Sequence, residues 1–512
     1  YALSFLGSCI SAPYAIVLGH KSIVTGEKGI SIGYNRRASK NTISLGNRSG
    51  LNSAGESCIF IGDTCGDLGT FTNEGTVAIG VGTARNVTSG TRNVIIGRDA
   101  GNTVTTGSRN VIIGAGANVL SAGSDECFSL GTSARSDGGG VAIGGSSRTI
   151  GGISIGGSSG AGSSGTRNIC IGSSSGSGGI SGIDNICIGG INTGNKITSG
   201  NNNIVFGAGG ASALTTGYYN TILNTQASTL ISGARNVIIG NANNTTTSNT
   251  VRGVCIGYNS VTGNFGVAIG DRARADGYSV SIGSYAARGS TSQRSVSIGN
   301  YSGGLYNTGN NNTCVGTYSG RYMSFSATSN TLIGYNAGRS ITSGTFNTCI
   351  GSNAGNTLNL YNQTSVVCIG RNAGQAAGGL LPNYSWWTNP AIPSVGTQVA
   401  LHINTTTGQI GPVSSTLKTK KDVENLEETL TNKFINEARP VRFKWKDSNK
   451  PGIGFIAEEM NLIVPEVVPL NANGEPVAIN YELLVAVLTQ SIQKLTSKIN
   501  TLESRVTELE SQ

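Results

Sequence analysis

The chain has 512 residues, a formal net charge of +9, 78 glycines and only two histidines, His20 and His402. Because it also lacks any Cys-x-x-Cys pair among its ten cysteines, nothing supports a zinc site, and we expect no metal ion and no cofactor. No run of about 18 apolar residues occurs, so we expect no membrane insertion.

The composition changes near residue 414. Residues 1–414 hold all but three of the glycines and carry 23 basic and 12 acidic residues, a net charge of +11. Residues 415–512 carry 12 basic and 14 acidic residues, a net charge of −2. The two parts are different kinds of polypeptide, and we expect them to fold as separate domains.

A short β-favouring run closed by glycine recurs more than twenty times in residues 1–374. Examples are TVAIG (76–80), NVIIG (93–97), NICIG (168–172) and NTCIG (347–351). The closing glycines are mostly 16–18 residues apart, with shorter gaps of 12 or 13. Strands too short to bury their own face stack into a solenoid when they repeat at such a period. The sequence therefore predicts an all-β repetitive body, a parallel β-roll or β-solenoid.

Side chains alternate along each run, so Val77 and Ile79 point away from Ala78. The first and third positions are almost always Val, Ile or Leu, and we expect them to face the interior of the coil. The middle position is small or apolar and uncharged in these runs, so we expect that face to pack against another copy of the chain. The closing glycine is expected to adopt a positive φ at the corner.

Six cysteines directly precede the Ile-Gly or Val-Gly of a repeat. We expect them to be small, buried, apolar residues, rather than members of a metal ladder or of interchain disulfides. They are Cys170, Cys187, Cys255, Cys314, Cys349 and Cys368.

Two units, VAIGDRARADG (267–277) and VSIGSYAARG (280–289), resemble the head repeats of trimeric adhesins of the YadA type. In that family three chains form parallel left-handed β-rolls around one axis. The resemblance therefore implies a homotrimer.

Residues 375–414 form a different kind of segment, with prolines, paired tryptophans and a TTTGQI turn. We interpret it as a β-rich linker that caps the end of the solenoid. Trp386 and Trp387 are expected to serve as a hydrophobic end cap, with sugar stacking as the alternative.

Residues 481–512 are expected to form a parallel coiled coil, because apolar residues alternate spacings of three and four. β-Branched residues at a with Leu at d favour two strands in isolated coils, so a trimer has to be argued from elsewhere. The heptad residues are Val485, Leu488, Ile492, Leu495, Ile499, Leu502, Val506 and Leu509.

Four segments resemble the intramolecular chaperone auto-processing domain of phage tail fibres, tailspikes and giant-virus fibres: SSTLKTKKDVENL (414–426), PVRFKWKD (440–447), IGFIAEEMNLIVPEVV (453–468) and VAINYELLVAVLTQSIQKL (477–495). The resemblance covers about 415–512. The resemblance implies a small α+β chaperone domain over 415–480. It would align three chains, promote folding of the preceding fibre and then cut itself off.

The cleavage motif of that family implies scission between Ser414 and Ser415. Ser415 is then the nucleophile and Lys420 the base, with Val423 at an apolar position. A lysine that loses its proton when desolvated can activate a hydroxyl without histidine. The expected enzyme is a single-turnover serine endopeptidase acting in cis.

The junction departs from the family's motif at three positions, Thr416, Lys418 and Thr419. Ser414 with Lys418 offers a second register. A chaperone that stays uncleaved is the other alternative.

These resemblances imply a fibre or tail-fibre protein on the virion surface, assembled in the host cytoplasm. Its expected partners are two further copies, a virion anchoring protein and a host receptor, with an anionic glycan as one candidate because of the basic body. We expect neither nucleic-acid binding nor membrane insertion. A polysaccharide-degrading tailspike is the alternative, but it needs carboxylates paired about 5–10 Å apart, and most of the 12 acidic residues of the body are isolated in sequence.

Overall fold

The computed structural model describes residues 12–52, 54–68, 72, 74–211, 213–223, 230–242, 247–304, 309–324, 326–356, 362–375, 385–387, 420–446, 449–471 and 473–511, together with strand backbone at 3–5, 9–10, 244–245, 388, 402–403 and 410–411. The chain divides into two compact units, Tyr1–Ile392 and Pro393–Gln512. Within the described residues, no helix is both long and apolar enough to cross a membrane.

The first unit is a parallel β-solenoid, as the repeats predict. Its main sheet has 25 strands of three residues, each hydrogen-bonded to the strand of the next coil. Equivalent positions pair in register, for example Val94 with Val111 and Ile95 with Ile112. The strands are Leu3–Phe5, Ile16–Leu18, Ile30–Ile32, Ile43–Leu45, Ile59–Ile61, Val77–Ile79, Val94–Ile96, Val111–Ile113, Phe128–Leu130, Val141–Ile143, Ile153–Ile155, Ile169–Ile171, Ile186–Ile188, Ile204–Phe206, Thr221–Leu223, Val237–Ile239, Val254–Ile256, Val267–Ile269, Val280–Ile282, Val296–Ile298, Thr313–Val315, Thr331–Ile333, Thr348–Ile350, Val367–Ile369 and Trp386–Thr388.

Some coils carry a second strand, of two or three residues, on another wall. These strands pair in parallel in three small sheets. They are Cys9–Ile10, Ser22–Val24 and Arg36–Ala38; Asn118–Val119 and Arg135–Ser136; and Asn244–Thr245, Val261–Thr262 and Arg274–Ala275.

The predicted orientation of the strands is wrong. The middle residue of each run faces the interior, as the complete burial of Ala78 and Ile95 shows, whereas the first and third residues stay partly exposed. The interior is narrow: a Cβ added to Gly101 on the opposite wall would lie 2.6 Å from Cγ2 of Ile95. Each strand therefore contributes one inward side chain, which packs with buried residues of the other walls such as Val104, and the Val and Ile rows lie outside.

Glycine closes the coils for two reasons. Gly80 and Gly97 have φ of +137° and +133°, which confirms the predicted positive φ. A Cβ added to Gly80 would also lie 2.6 Å from the carbonyl oxygen of Gly97 in the next coil. Both the backbone conformation and the spacing between coils therefore require glycine.

The repeat cysteines are buried, as predicted, but they lie in the interior of the coil and not on a face that would meet another copy. Because burial disfavours the thiolate, it raises the pKa of both Cys65 and Cys314 to about 12. These thiols act as small core residues.

Buried asparagines form a hydrogen-bonded row immediately before the strands. The Nδ2 group of Asn203 donates to Oδ1 of Asn185 at 3.0 Å and to the carbonyl oxygen of Gly217 at 2.8 Å. Its own Oδ1 accepts from the backbone N–H of Asn220 at 3.1 Å. The row supplies partners to backbone groups that the sheet leaves unpaired. Its members are Asn93 and Asn110; Asn168, Asn185, Asn203, Asn220 and Asn236; and Asn312, Asn330 and Asn347.

The paired tryptophans lie in the last strand of the stack. Trp387 packs against a buried cluster that includes Cys368 and Ala373, whereas the side chain of Trp386 is 56% exposed. Most of the predicted linker over 375–414 lies outside the described residues.

The described part of the second unit contains three α-helices, α1 (Glu428–Glu437), α2 (Ala457–Ile463) and α3 (Tyr481–Glu510), and a 3₁₀ turn at Pro465–Val467. Strands Val441–Lys444 and Pro451–Gly454 form an antiparallel hairpin, as do His402–Ile403 and Ile410–Gly411. A small core lies between the helices and consists of Phe434, Met460, Ile463, Val464, Val467, Val468, Leu484 and Val487. The unit is thus a small helix-and-strand domain, as predicted.

Candidate functional site

The predicted cleavage site lies at the edge of the described structure. Ser414 and Ser415 fall outside the described residues, while Lys420 is described and exposed, outside any helix or strand. Val423, expected at an apolar position, is 66% exposed. The serine–lysine dyad therefore stays a prediction.

Two residues that follow Lys420, Leu426 and Glu428, contact side chains of α3. Gln490 donates from Nε2 to the carbonyl oxygen of Leu426 at 2.9 Å. Lys494 Nζ lies 2.6 Å from Oε1 of Glu428 at the start of α1, and this hydrogen bond holds the pKa of Glu428 below its usual value. These contacts hold the start of α1 and the residues just before it against the long helix.

Further polar contacts join α1, α2 and the hairpin. Arg439 donates from Nε to Oε2 of Glu459 at 3.3 Å, and its hydrogen bonds lower the pKa of that carboxyl. Lys433 Nζ donates to the carbonyl oxygen of Leu462 at 2.6 Å. The backbone N–H of Phe455 donates to the hydroxyl of Tyr481 at 3.1 Å, which ties the hairpin to α3.

Helix α3 has two apolar faces. One, with Leu484 and Val487, packs into the small core described above. The other consists of the predicted heptad residues, which are 44–66% exposed: Val485, Leu488, Ile492, Leu495, Ile499, Leu502, Val506 and Leu509. The helix is confirmed, and the heptad face is available for another helix.

The hairpin carries a second exposed apolar surface, which the sequence analysis missed. Trp445 is 58% exposed and packs edge-on against Phe443, with ring centroids 5.2 Å apart, and Ile453 is 72% exposed. A surface groove of about 810 Å³ is lined by Arg442, Phe443, Lys444, Pro451, Gly452 and Ile453. The period-two alternation in PVRFKWKD is the signal that predicts such a face.

Comparison with known families finds one match within this unit. Residues 415–469 match the family Peptidase_S74, chaperone of endosialidase. The match begins at the residue predicted to become the new N-terminus after cleavage and spans the described elements from α1 to the 3₁₀ turn. No curated protein matches the chain. A chaperone domain of this family after a β-solenoid body fits a fibre or tailspike type of protein.

The carboxylates of the body that adjoin each other in sequence make ion pairs. Asp125 and Glu126 both contact Arg109, at 3.8 and 2.9 Å. These contacts give the pair a structural role between coils.

Proposed function

We propose that this chain is a homotrimeric fibre protein that attaches a virion to its host surface, and that its chaperone domain assembles the trimer and cleaves the chain before Ser415. The match to the chaperone family directly after a β-solenoid carries the proposal. The anchoring partner would bind elsewhere on the fibre.

The outer face of the solenoid supports association of several copies. Its Val and Ile rows form a continuous apolar stripe, with Ile204 and Ile369 37% and 43% exposed. At about 4.8 Å per coil, 25 strands give a stripe roughly 115 Å long. Monomeric proteins rarely expose apolar patches beyond a few hundred Å². A second copy of the same stripe would cover it.

The exposed heptad face of α3, in the second unit, supports the same conclusion. Three such helices would bury their heptad residues together and bring three identical solenoids into one register. This matters because solenoid strands of similar sequence are prone to pair out of register.

The cleavage chemistry needs no residue beyond the junction. The hydroxyl of Ser415 attacks the carbonyl carbon of Ser414 and passes its proton to the neutral amine of Lys420. The C–N bond then breaks, the amine of Ser415 takes up a proton, and water hydrolyses the resulting ester. Lysine serves as base here only if trimer assembly desolvates it, which couples cutting to folding.

The test is the intact mass and solution mass of wild type beside Ser415→Ala and Lys420→Ala, with Lys421→Ala as the matched lysine control. We expect wild type and the control to give two fragments meeting at 414/415, and both dyad variants to stay whole as trimers. If Ser414→Ala stayed whole while Ser415→Ala was cleaved, the second register, Ser414 with Lys418, would be indicated instead.

A wild-type chain that forms trimers but stays whole would make the chaperone a permanent cap and refute the catalytic part. A monomeric wild-type chain would refute the fibre proposal itself.

A further inference from the structure

A row of tyrosines and arginines runs along one corner of the solenoid. Tyr285 and Tyr301 stack with ring centroids 4.7 Å apart, Tyr301 and Tyr318 stack at 5.8 Å, and Tyr335 meets Tyr318 edge-on at 6.2 Å. Successive members come from successive coils. The tyrosine–arginine row consists of Tyr258, Arg272, Tyr285, Tyr301, Tyr318, Arg321, Tyr322, Tyr335 and Arg339.

Backbone preference does not explain the tyrosines. Tyr285, Tyr301 and Tyr318 have φ of 58°, 53° and 60°, a left-handed conformation that asparagine adopts more readily than an aromatic residue. Asparagine does occupy the same turn position in later coils, at Asn336 and Asn353. The backbone conformation therefore disfavours tyrosine at this position in three successive coils, so the contacts of the side chains must account for it.

The arginines lie against the rings. The guanidinium carbon of Arg321 lies 4.8 Å from the ring centroid of Tyr301 and 4.7 Å from that of Tyr318. Arg339 lies 5.3 Å from the ring of Tyr322 and donates to its hydroxyl at 3.3 Å. These cation–π contacts hold the guanidinium planes in place.

The row has more positive than negative charge. Arg272 has a carboxylate partner, Asp271, at 3.4 Å. Within the described part of the chain, neither Arg321 nor Arg339 forms an ion pair, and the Nε–H of each is buried without a hydrogen-bond partner. Their remaining donors are fixed in geometry and available to an external anion.

We propose that the tyrosine–arginine row binds an acidic polysaccharide, with its guanidinium groups on the carboxylates and its tyrosine hydroxyls on the sugar hydroxyls. This inference rests on the proposed attachment function and names the receptor chemistry. A planar guanidinium pairs with a carboxylate, as with a phosphate, through two parallel hydrogen bonds, so the choice between the two anions comes from the tyrosines.

The stacking geometry favours a sugar chain over a nucleic acid. Stacked rings that face each other at an interplanar angle of 8°, as in Tyr285 and Tyr301, expose edges and hydroxyls instead of free faces. Single-stranded nucleic acids bind to free aromatic faces on which bases stack. A row of hydroxyl and guanidinium groups repeated at each coil, about 4.8 Å apart, instead suits an extended polymer of hydroxyls and carboxylates.

The test measures binding of the purified trimer to polygalacturonate, to its methyl ester and to single-stranded DNA. The variant Arg321→Gln/Arg339→Gln is compared with Arg235→Gln/Arg252→Gln. The control pair removes the same charge, and each of its arginines also lies over one aromatic ring, Arg235 over Tyr219 and Arg252 over Phe265.

We expect wild type to bind polygalacturonate, with the affinity lowered about tenfold or more by the row variant and changed less than about twofold by the control. The methyl ester and the DNA should bind about tenfold or more weakly than polygalacturonate. Tyr301→Phe keeps the stack and should lower affinity about threefold by removing one hydroxyl.

Equal losses in the two double variants, or equal binding of the ester or of DNA, would overturn the inference. Light scattering on the same samples gives the oligomeric state, which separates the proposed polysaccharide binding from the proposed trimeric fibre. A trimer that binds no polygalacturonate refutes this inference alone, whereas a monomer refutes the fibre function.

Discussion

Replacing Asn203 by alanine removes four side-chain hydrogen bonds from the interior of the solenoid. The side chain donates to Asn185 and Gly217, and it accepts from both the backbone N–H and the Nδ2 group of Asn220. Asn203 is fully buried, so water cannot replace these partners. At about 1 kcal/mol for each net hydrogen bond, with an extra cost for the orphaned N–H of Asn220, the loss is about 4–6 kcal/mol.

The effect should be local, because each coil contacts mainly its neighbours. Hydrogen exchange measured by mass spectrometry at strands Ile204–Phe206 and Thr221–Leu223 should show the opening free energy reduced by about 4–6 kcal/mol. Asn264→Ala is the control, since its exposed side chain accepts one hydrogen bond, from Val251 N–H at 2.8 Å. Its expected loss is about 1 kcal/mol or less. Equal effects of the two substitutions would refute the structural role of the asparagine row.

Three further predictions test the solenoid and the helix. Gly97→Ala should block coil stacking and abolish soluble trimer on sizing columns, because its Cβ would lie 2.6 Å from a carbonyl oxygen of the next coil; Gly139→Ala, with open space around it, should lose only about 1 kcal/mol of stability. The Cys65 thiol should resist alkylation at pH 9 in the native state and react after denaturation. Burial raises its pKa from 9.0 to about 12, so the folded state keeps a proton that the unfolded state loses. The free energy of unfolding measured by denaturant titration should therefore fall as the pH rises from 9 toward 12. The contribution of Cys65 to this fall should be absent from Cys65→Ala. Ile492→Asp on the heptad face of α3 should reduce trimer yield, whereas Gln493→Asp, exposed and off that face, should not; equal yields would contradict helix association.

The period of the repeats was enough to predict a parallel solenoid. Runs such as TVAIG and NVIIG recur at 16–18 residues and are too short to fold alone, so stacking is the only way for them to bury apolar surface. The positive φ of the closing glycines, the burial of the cysteines and helix α3 with its heptads also followed from local pattern, because each depends on nearby residues.

Which face of each strand points into the coil depended on the tertiary structure. Alternation separates Ile95 from Val94 and Ile96, but it does not say which side lies inside. That choice came from the rest of the coil, where Gly101 packs directly on Ile95 and Val104 lies in the same buried cluster. The tyrosine–arginine row arises in the same way, since Tyr285, Tyr301 and Tyr318 are 16 or 17 residues apart in the sequence and meet only when coils stack.

The sequence by itself determined the repeating coil, the change of character at residue 414 and the chaperone resemblance that names Ser415 and Lys420. These features depend on residues that are close together in the sequence, because local conformation and the chemistry of short motifs determine them. Tertiary structure alone decided which face of each strand points into the core, which asparagines share hydrogen bonds and which arginines lie against tyrosine rings. Those features join residues a whole coil apart, and stacking in register is the physical step that brings them together.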